Sequence, residues 1–167
     1  MIIDTHTHTF PDRIAARALA GMEKSIVDKH DWNVKIKVAG TRDALSESTK
    51  KNGVDISVVV PVATKPEQSA SINEFAAQTN EKTKETGVFS LGAIHPDNED
   101  YKDILDDIKK KGLKGIKVHP DYQKVEFDDP RYLRIFKYAD ELGLVIVTHA
   151  GEDIGLPEKI HCTPDMV

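Results

Sequence analysis

Ile3-Asp4-Thr5-His6-Thr7-His8 stands where the fold is decided. A short apolar run, read as a strand over Ile2–Thr5, feeds directly into it. In an open, doubly wound α/β sheet a glycine-rich phosphate loop follows the first strand. Here two histidines stand in its place. They are two apart on an extended segment, so both imidazoles point the same way and can reach one ion. Neutral imidazole is a borderline-soft donor suited to zinc, iron, manganese or nickel. A His-x-His pair also arises in polar loops without any role, so the pair alone leaves metal binding open.

Outward from this stretch the chain repeats one unit. Four times an amphipathic segment rich in Lys and Glu ends at a glycine, at Gly53, Gly87, Gly112 and Gly143. The residue just past a helix often needs a left-handed backbone, which glycine adopts freely. A short apolar run follows each glycine: Ile56–Val62, Val88–Ile94, Leu113–Val118 and Leu144–Thr148. Rich in Val and Ile, they read as strands buried on both faces. Between them, Tyr101, Ile104, Leu105 and Ile108 share one helical face, as do Leu133, Phe136, Ala139 and Leu142. Asp129-Pro130 reads as a helix cap with proline in the first turn, and Thr163-Pro164-Asp165 as the start of another helix. Alternating strands and helices predict a parallel sheet. An open sheet and part of a closed (β/α)8 TIM barrel both fit that order.

The histidines favour the barrel. Of seven, five (His6, His8, His95, His119 and His149) fall at the C-terminal end of a predicted strand, where parallel sheets build their sites. His149 closes a run too apolar to end in histidine for packing alone, so His6, His8 and His149 are the expected metal ligands. Lys117 shares a strand face with His119. Buried and unpaired, an ammonium is costly, so Lys117 needs a carboxylate of the protein or substrate, or CO₂ as a carbamate. Snorkelling to water is the bland alternative. His95, Lys117 and His119 are candidate substrate-binding residues. Asp4, on the His6 face, either pairs with Lys117, orients a ligand or is a satisfied acid. The His161–Cys162 pair lacks companions for a structural zinc site and is read as unrelated to metal.

Composition narrows the function class. A net charge of −5 over 167 residues argues against nucleic acid, and no run of about 18 apolar residues suggests a membrane span. No signal peptide is visible at Met1, and Cys162 is the sole cysteine, so a reducing, cytoplasmic location is expected. The length suits one domain.

Taken in order, these motifs resemble a known family. Ile3 to His8, Gly92-Ala93-Ile94-His95-Pro96-Asp97, Gly112 to Gln123 and Val147-Thr148-His149-Ala150-Gly151 are similar to the amidohydrolase superfamily. The match is to its amidohydrolase-related branch, which includes aminocarboxymuconate semialdehyde decarboxylases and resorcylate-type decarboxylases. The resemblance implies a metal-dependent (β/α)8 barrel with its first-strand histidine pair at His6 and His8 and its fifth-strand histidine at His149. The family's sixth-strand histidine and eighth-strand aspartate, the usual general base, would lie beyond Val167. Residues 1–167 are therefore expected to be the N-terminal part of one barrel domain, about five βα units. The expected cofactor is one divalent ion, zinc first, with manganese or iron as alternatives. The expected function is hydrolysis of a small polar or carboxylate-bearing substrate through a metal-activated water. Non-oxidative decarboxylation at the same site is the alternative, as is a non-catalytic partial barrel that folds only as an oligomer. Deoxyribonuclease-like and polymerase-and-histidinol-phosphatase-like relatives also open on a histidine pair. The acidic balance disfavours the first, and the second needs more metal ligands. Expected partners are a small-molecule substrate and further copies of the chain, with neither nucleic acid nor membrane.

Overall fold

The computed structural model describes residues 1–156 and 159–167. The strands are β1 (Ile3–Thr7), β2 (Ile56–Val59), β3 (Val88–Ser90), β4 (Gly92–Ala93), β5 (Gly115–Val118) and β6 (Val145–Thr148). The helices are α1 (Asp12–His30), α2 (Arg42–Lys51), α3 (Ser69–Asn80), α4 (Thr83–Thr86), α5 (Tyr101–Lys110), α6 (Pro120–Gln123) and α7 (Pro130–Glu141). Among the described residues, no helix is long and apolar enough to cross a membrane.

All four strand pairings among the described residues are parallel. Their order is β1-β2-β3 in one sheet and β4-β5-β6 in the other. The third expected strand is broken at Leu91. Its first half, β3, pairs with β2, and its second half, β4, pairs with β5. One apolar run thus hands the sheet from the first trio of strands to the second. Within each sheet every strand lies beside the next in sequence, with no reversal of order. A doubly wound sheet reverses at its switch point, whereas a barrel winds one way throughout. The winding is that of a barrel.

The four punctuating glycines do the work their positions suggest, with φ between 67° and 75° at Gly53, Gly87, Gly112 and Gly143. Other expectations shift slightly. β2 stops at Val59, two residues before Pro61, which has no N–H to give a ladder. The first strand continues to Thr7, and Thr163-Pro164-Asp165 leads into a single 3-10 turn, Pro164–Met166. Asp129 caps α7 as expected, accepting from the Arg131 N–H at 2.8 Å. Helix α1 lies outside the repeat.

The core centres on β5, every residue of which is buried. Leu105 and Ile108 of α5 and Tyr132, Ile135 and Ala139 of α7 pack with Ile116 and Val118. The two outer strands are different: Ile3 of β1 is 47% exposed and Val145 of β6 is 59% exposed. β5 and β6 approach so closely at Gly115 that a Cβ there would sit 2.3 Å from the Val145 carbonyl oxygen. Backbone cannot yield as a side-chain tip can. Gly115→Ala is therefore expected to lower unfolding free energy by at least ~2 kcal/mol, measured by urea titration.

Candidate metal centre

β5 pairs with β6 so that Val118 faces Thr148. The next residue on each strand is a histidine, and the His149 N–H donates to the Val118 carbonyl at 3.2 Å. The two rings lie flat on each other, 4.2 Å between centroids and 5° between planes. His119 also caps the short helix α6, its Nδ1 accepting from the Tyr122 N–H at 3.4 Å. Its other nitrogen, Nε2, is 3.2 Å from Oδ2 of Asp153, on the loop after β6.

That loop is held from two directions. Asp153 Oδ1 accepts from the Gly155 N–H at 2.6 Å. From α1, Ser25 Oγ and Lys29 Nζ donate to the Gly155 carbonyl at 3.2 and 2.7 Å, and the His30 ring meets the Ile154 carbonyl at 2.6 Å. Among the described residues, one set of three metal-ligating side chains has its ligand atoms all within 4.8 Å of one another: His119, His149 and Asp153. His6 and His8 are not in that set.

His6 lies on β1 and His8 just past its end, both exposed, with ring centroids 5.0 Å apart in an edge-to-face arrangement. Between Asp4 and Thr7, three steps along β1 match two along β2, which is a one-residue bulge. Alternation does not carry across a bulge, so Asp4 and His6 need not share a face. Asp4 is exposed and accepts from the His6 N–H at 3.1 Å. Desolvation, then the charges of Lys117 and His149, lower the His6 pKa against the opposing pull of Asp4. His8 is lowered by desolvation, His6 and Lys117, against a hydrogen bond with the Val60 backbone. Both histidines thus feel the charge of Lys117, and His6 that of His149 as well.

Lys117 does not snorkel. It is fully buried, its Nζ has no hydrogen-bond partner, and burial lowers its pKa to about 8. Two more buried polar atoms nearby lack partners, Asp121 Oδ2 and His149 Nε2, and they face each other at 3.8 Å. The remaining oxygen of Asp121 accepts from the His161 backbone N–H at 2.9 Å and lies 2.8 Å from Nδ1 of its ring. His161 therefore serves Asp121. Cys162 is fully buried, its thiol pushed up chiefly by burial. His95 is buried too, but it turns away from this group. Its Nδ1 accepts from the Asp97 N–H at 3.2 Å, its own N–H donates to Asn98, and the charges that reach it are Asp97, Arg131 and Glu67.

The sequence profile of the family described as Amidohydrolase matches residues 3–165. The chain belongs to the amidohydrolase family. Among solved structures, it is similar to the 5-carboxyvanillate decarboxylase of Novosphingobium aromaticivorans with bound manganese. That match has 15% identity and a TM-score of 0.66, over 92% of this chain and 51% of that one. The 5-carboxyvanillate decarboxylase of Sphingomonas paucimobilis matches at 16% identity and TM-score 0.63, over 95% and 57%. A 2,6-dihydroxybenzoate decarboxylase complexed with 2,6-dihydroxybenzoate matches at 14% identity and TM-score 0.55, over 92% and 50%. The chain thus spans about half the length of these structures. The comparison with curated proteins finds no match.

In this amidohydrolase chain the strand ends are fixed largely by one residue that the histidine pattern does not reveal. Gln123, buried on α6, donates to the carbonyls of Ala63 and Ile94, both at 2.8 Å. Its Oε1 accepts from the His119 N–H at 3.0 Å and from the Tyr132 hydroxyl at 2.5 Å. The ends of β2, β4 and β5 are thereby tied to one amide. Gln123→Leu leaves four buried groups without partners and is expected to cost about 3 kcal/mol or more in unfolding free energy.

The histidines also make stability depend on pH. Burial is the main reason that the pKa of His119 falls to about 4, and His6, His8 and His95 are lowered as well. A histidine whose folded pKa lies below its unfolded value of about 6.5 must charge at a cost as the medium acidifies. Metal-free chain should therefore hold its full Tm above pH 6.5 and lose stability as the pH falls from 6.5 towards 4. In His119→Gln that slope should be shallower.

Proposed function

We propose that this chain provides the metal-binding part of an amidohydrolase-type enzyme that acts on a small, carboxylate-bearing molecule. One observation carries the proposal. The Lys117 ammonium is buried without a partner at the strand ends, beside imidazoles that are neutral at pH 7. Neutral imidazoles are what a divalent cation requires, and an unpaired buried cation is what a substrate carboxylate would satisfy.

His6, His8 and His149 would hold the ion, with His149 binding through the ring nitrogen that does not face Asp121. Zinc suits the imidazole donors, and the Novosphingobium relative carries manganese. A bound divalent ion supplies Lewis acidity towards a carbonyl or carboxylate oxygen. The chain's own groups do the rest: Lys117 draws the substrate carboxylate inward, and Gln123 keeps the Lys117–His119 strand end in place. His95 would border the substrate at the rim rather than touch the ion.

Hydrolysis is the reading for the family as a whole. Non-oxidative decarboxylation is the second reading, favoured by the decarboxylases among the similar structures. In either case residues 1–167 would form the N-terminal part of a single barrel domain. The exposed apolar residues of β1 and β6 suit coverage by further barrel strands or by a second copy of the chain. A single buried cysteine fits a cytoplasmic setting.

Two substitutions test the proposal. His6→Ala with His8→Ala should weaken zinc binding at least tenfold by calorimetry, and wild-type affinity would remove the pair from the ligand set. Lys117→Met should leave the fold as stable or more so, because the ammonium is buried without compensation. It should also abolish binding of simple aromatic carboxylates, detected by the same titration. Release of CO₂ from such acids, against hydrolytic products from their esters or lactones, separates decarboxylase from hydrolase.

A further inference from the structure

We propose that His119, His149 and Asp153 form a divalent-cation site of their own, so that the β5–β6 side of the rim captures an ion without His6 and His8. This site shares only His149 with the centre proposed above and does not depend on the first strand.

Two imidazoles and one carboxylate are a donor set that binds first-row divalent metals while leaving positions open. Their ligand atoms already lie within 4.8 Å of one another. In tetrahedral zinc sites, bonds of ~2.1 Å put neighbouring ligand atoms about 3.4 Å apart. The 3.2 Å between His119 Nε2 and Asp153 Oδ2 is that separation. The groups are also restrained beforehand. The rings of His119 and His149 are stacked, and Asp153 is fixed by the Gly155 N–H on a loop gripped by α1.

A second, independent feature points to an ion. Asp121, its side chain only 2% exposed, aims an unpartnered oxygen at the unpartnered Nε2 of His149, 3.8 Å away. A buried carboxylate behind a metal-bound histidine is the usual arrangement that fixes the ring and raises its basicity. Side-chain exposures of 7% for His119, 14% for Asp153 and 23% for His149 keep all three groups in partial contact with solvent. Binding through His119 Nε2 moves the imidazole proton to Nδ1. That displaces the bond from the Tyr122 N–H, so the Tyr122 amide reports occupancy.

The test is a titration of the full chain with Zn²⁺ alone, by calorimetry and by amide NMR, in a His6→Ala/His8→Ala background. Both replaced residues are exposed, and circular dichroism checks the fold. The expected result is residual binding of one ion per chain with a shifted Tyr122 amide. Adding Asp153→Asn or His119→Gln should weaken that binding at least tenfold and remove the shift. The proposal is overturned if the folded double variant binds no zinc, or if Asp153→Asn and His119→Gln leave its affinity unchanged. Failure of the first-strand assignment looks different. There the double variant keeps full wild-type affinity, and Asp153→Asn and His119→Gln still decide the β5–β6 site.

Discussion

The register of β5 against β6 is the constraint on which the rest depends. Gly115 pairs with Val145, Ile116 with Ile146, Lys117 with Val147 and Val118 with Thr148. This ladder delivers His119 and His149 side by side at the strand ends. A slip of one residue would turn every side chain of one strand to the opposite face. The contact at Gly115, where the strands nearly touch, and the amide of Gln123 act at the two ends of this pairing. Neither makes chemistry by itself. Together they hold two imidazoles in a stack and leave the Lys117 side chain no route to solvent.

Electrostatically, the strand ends gather several histidines around a buried ammonium that has no hydrogen-bond partner. Burial keeps the His119 imidazole neutral at pH 7 and lowers the pKa of the Lys117 ammonium to about 8. Two of the acids that come near His119 and His149 enter from outside the strands. Asp121 sits at the start of α6 and is half satisfied by His161, and Asp153 sits in the loop that α1 holds down. A long helix outside the βα repeat thus has a function that its own sequence does not suggest. It fixes the position of a carboxylate some 120 residues later in the chain.

Much of this was legible from residues alone. Period and punctuation located the strands, because a strand buried on both faces must be apolar and a helix end followed by a strand needs a left-handed residue. The histidines at strand ends stood out for the same reason: packing alone gives no cause to close Val145-Ile146-Val147 with one. What stayed hidden depends on contacts between distant segments. The bulge between Asp4 and Thr7 is a mismatch between two strands and leaves no mark on either. Leu91 breaks a run whose two halves have different neighbours. His95 carries the same His-Pro signature as His119, yet its ring is spent on the Asp97 turn, because Asn98 and Asp97 take its backbone and side chain first. Asp153 was one acid among many until its loop folded back over His119.

The central claim is that side chains from separate strands converge on one cation at this rim, with His149 common to every ligand set. Anomalous diffraction at the zinc edge, from crystals of the zinc-loaded chain, addresses it directly. The account predicts a single strong peak about 2.1 Å from a ring nitrogen of His149. Zinc found only at surface carboxylates, with the ring of His149 unliganded, would contradict it.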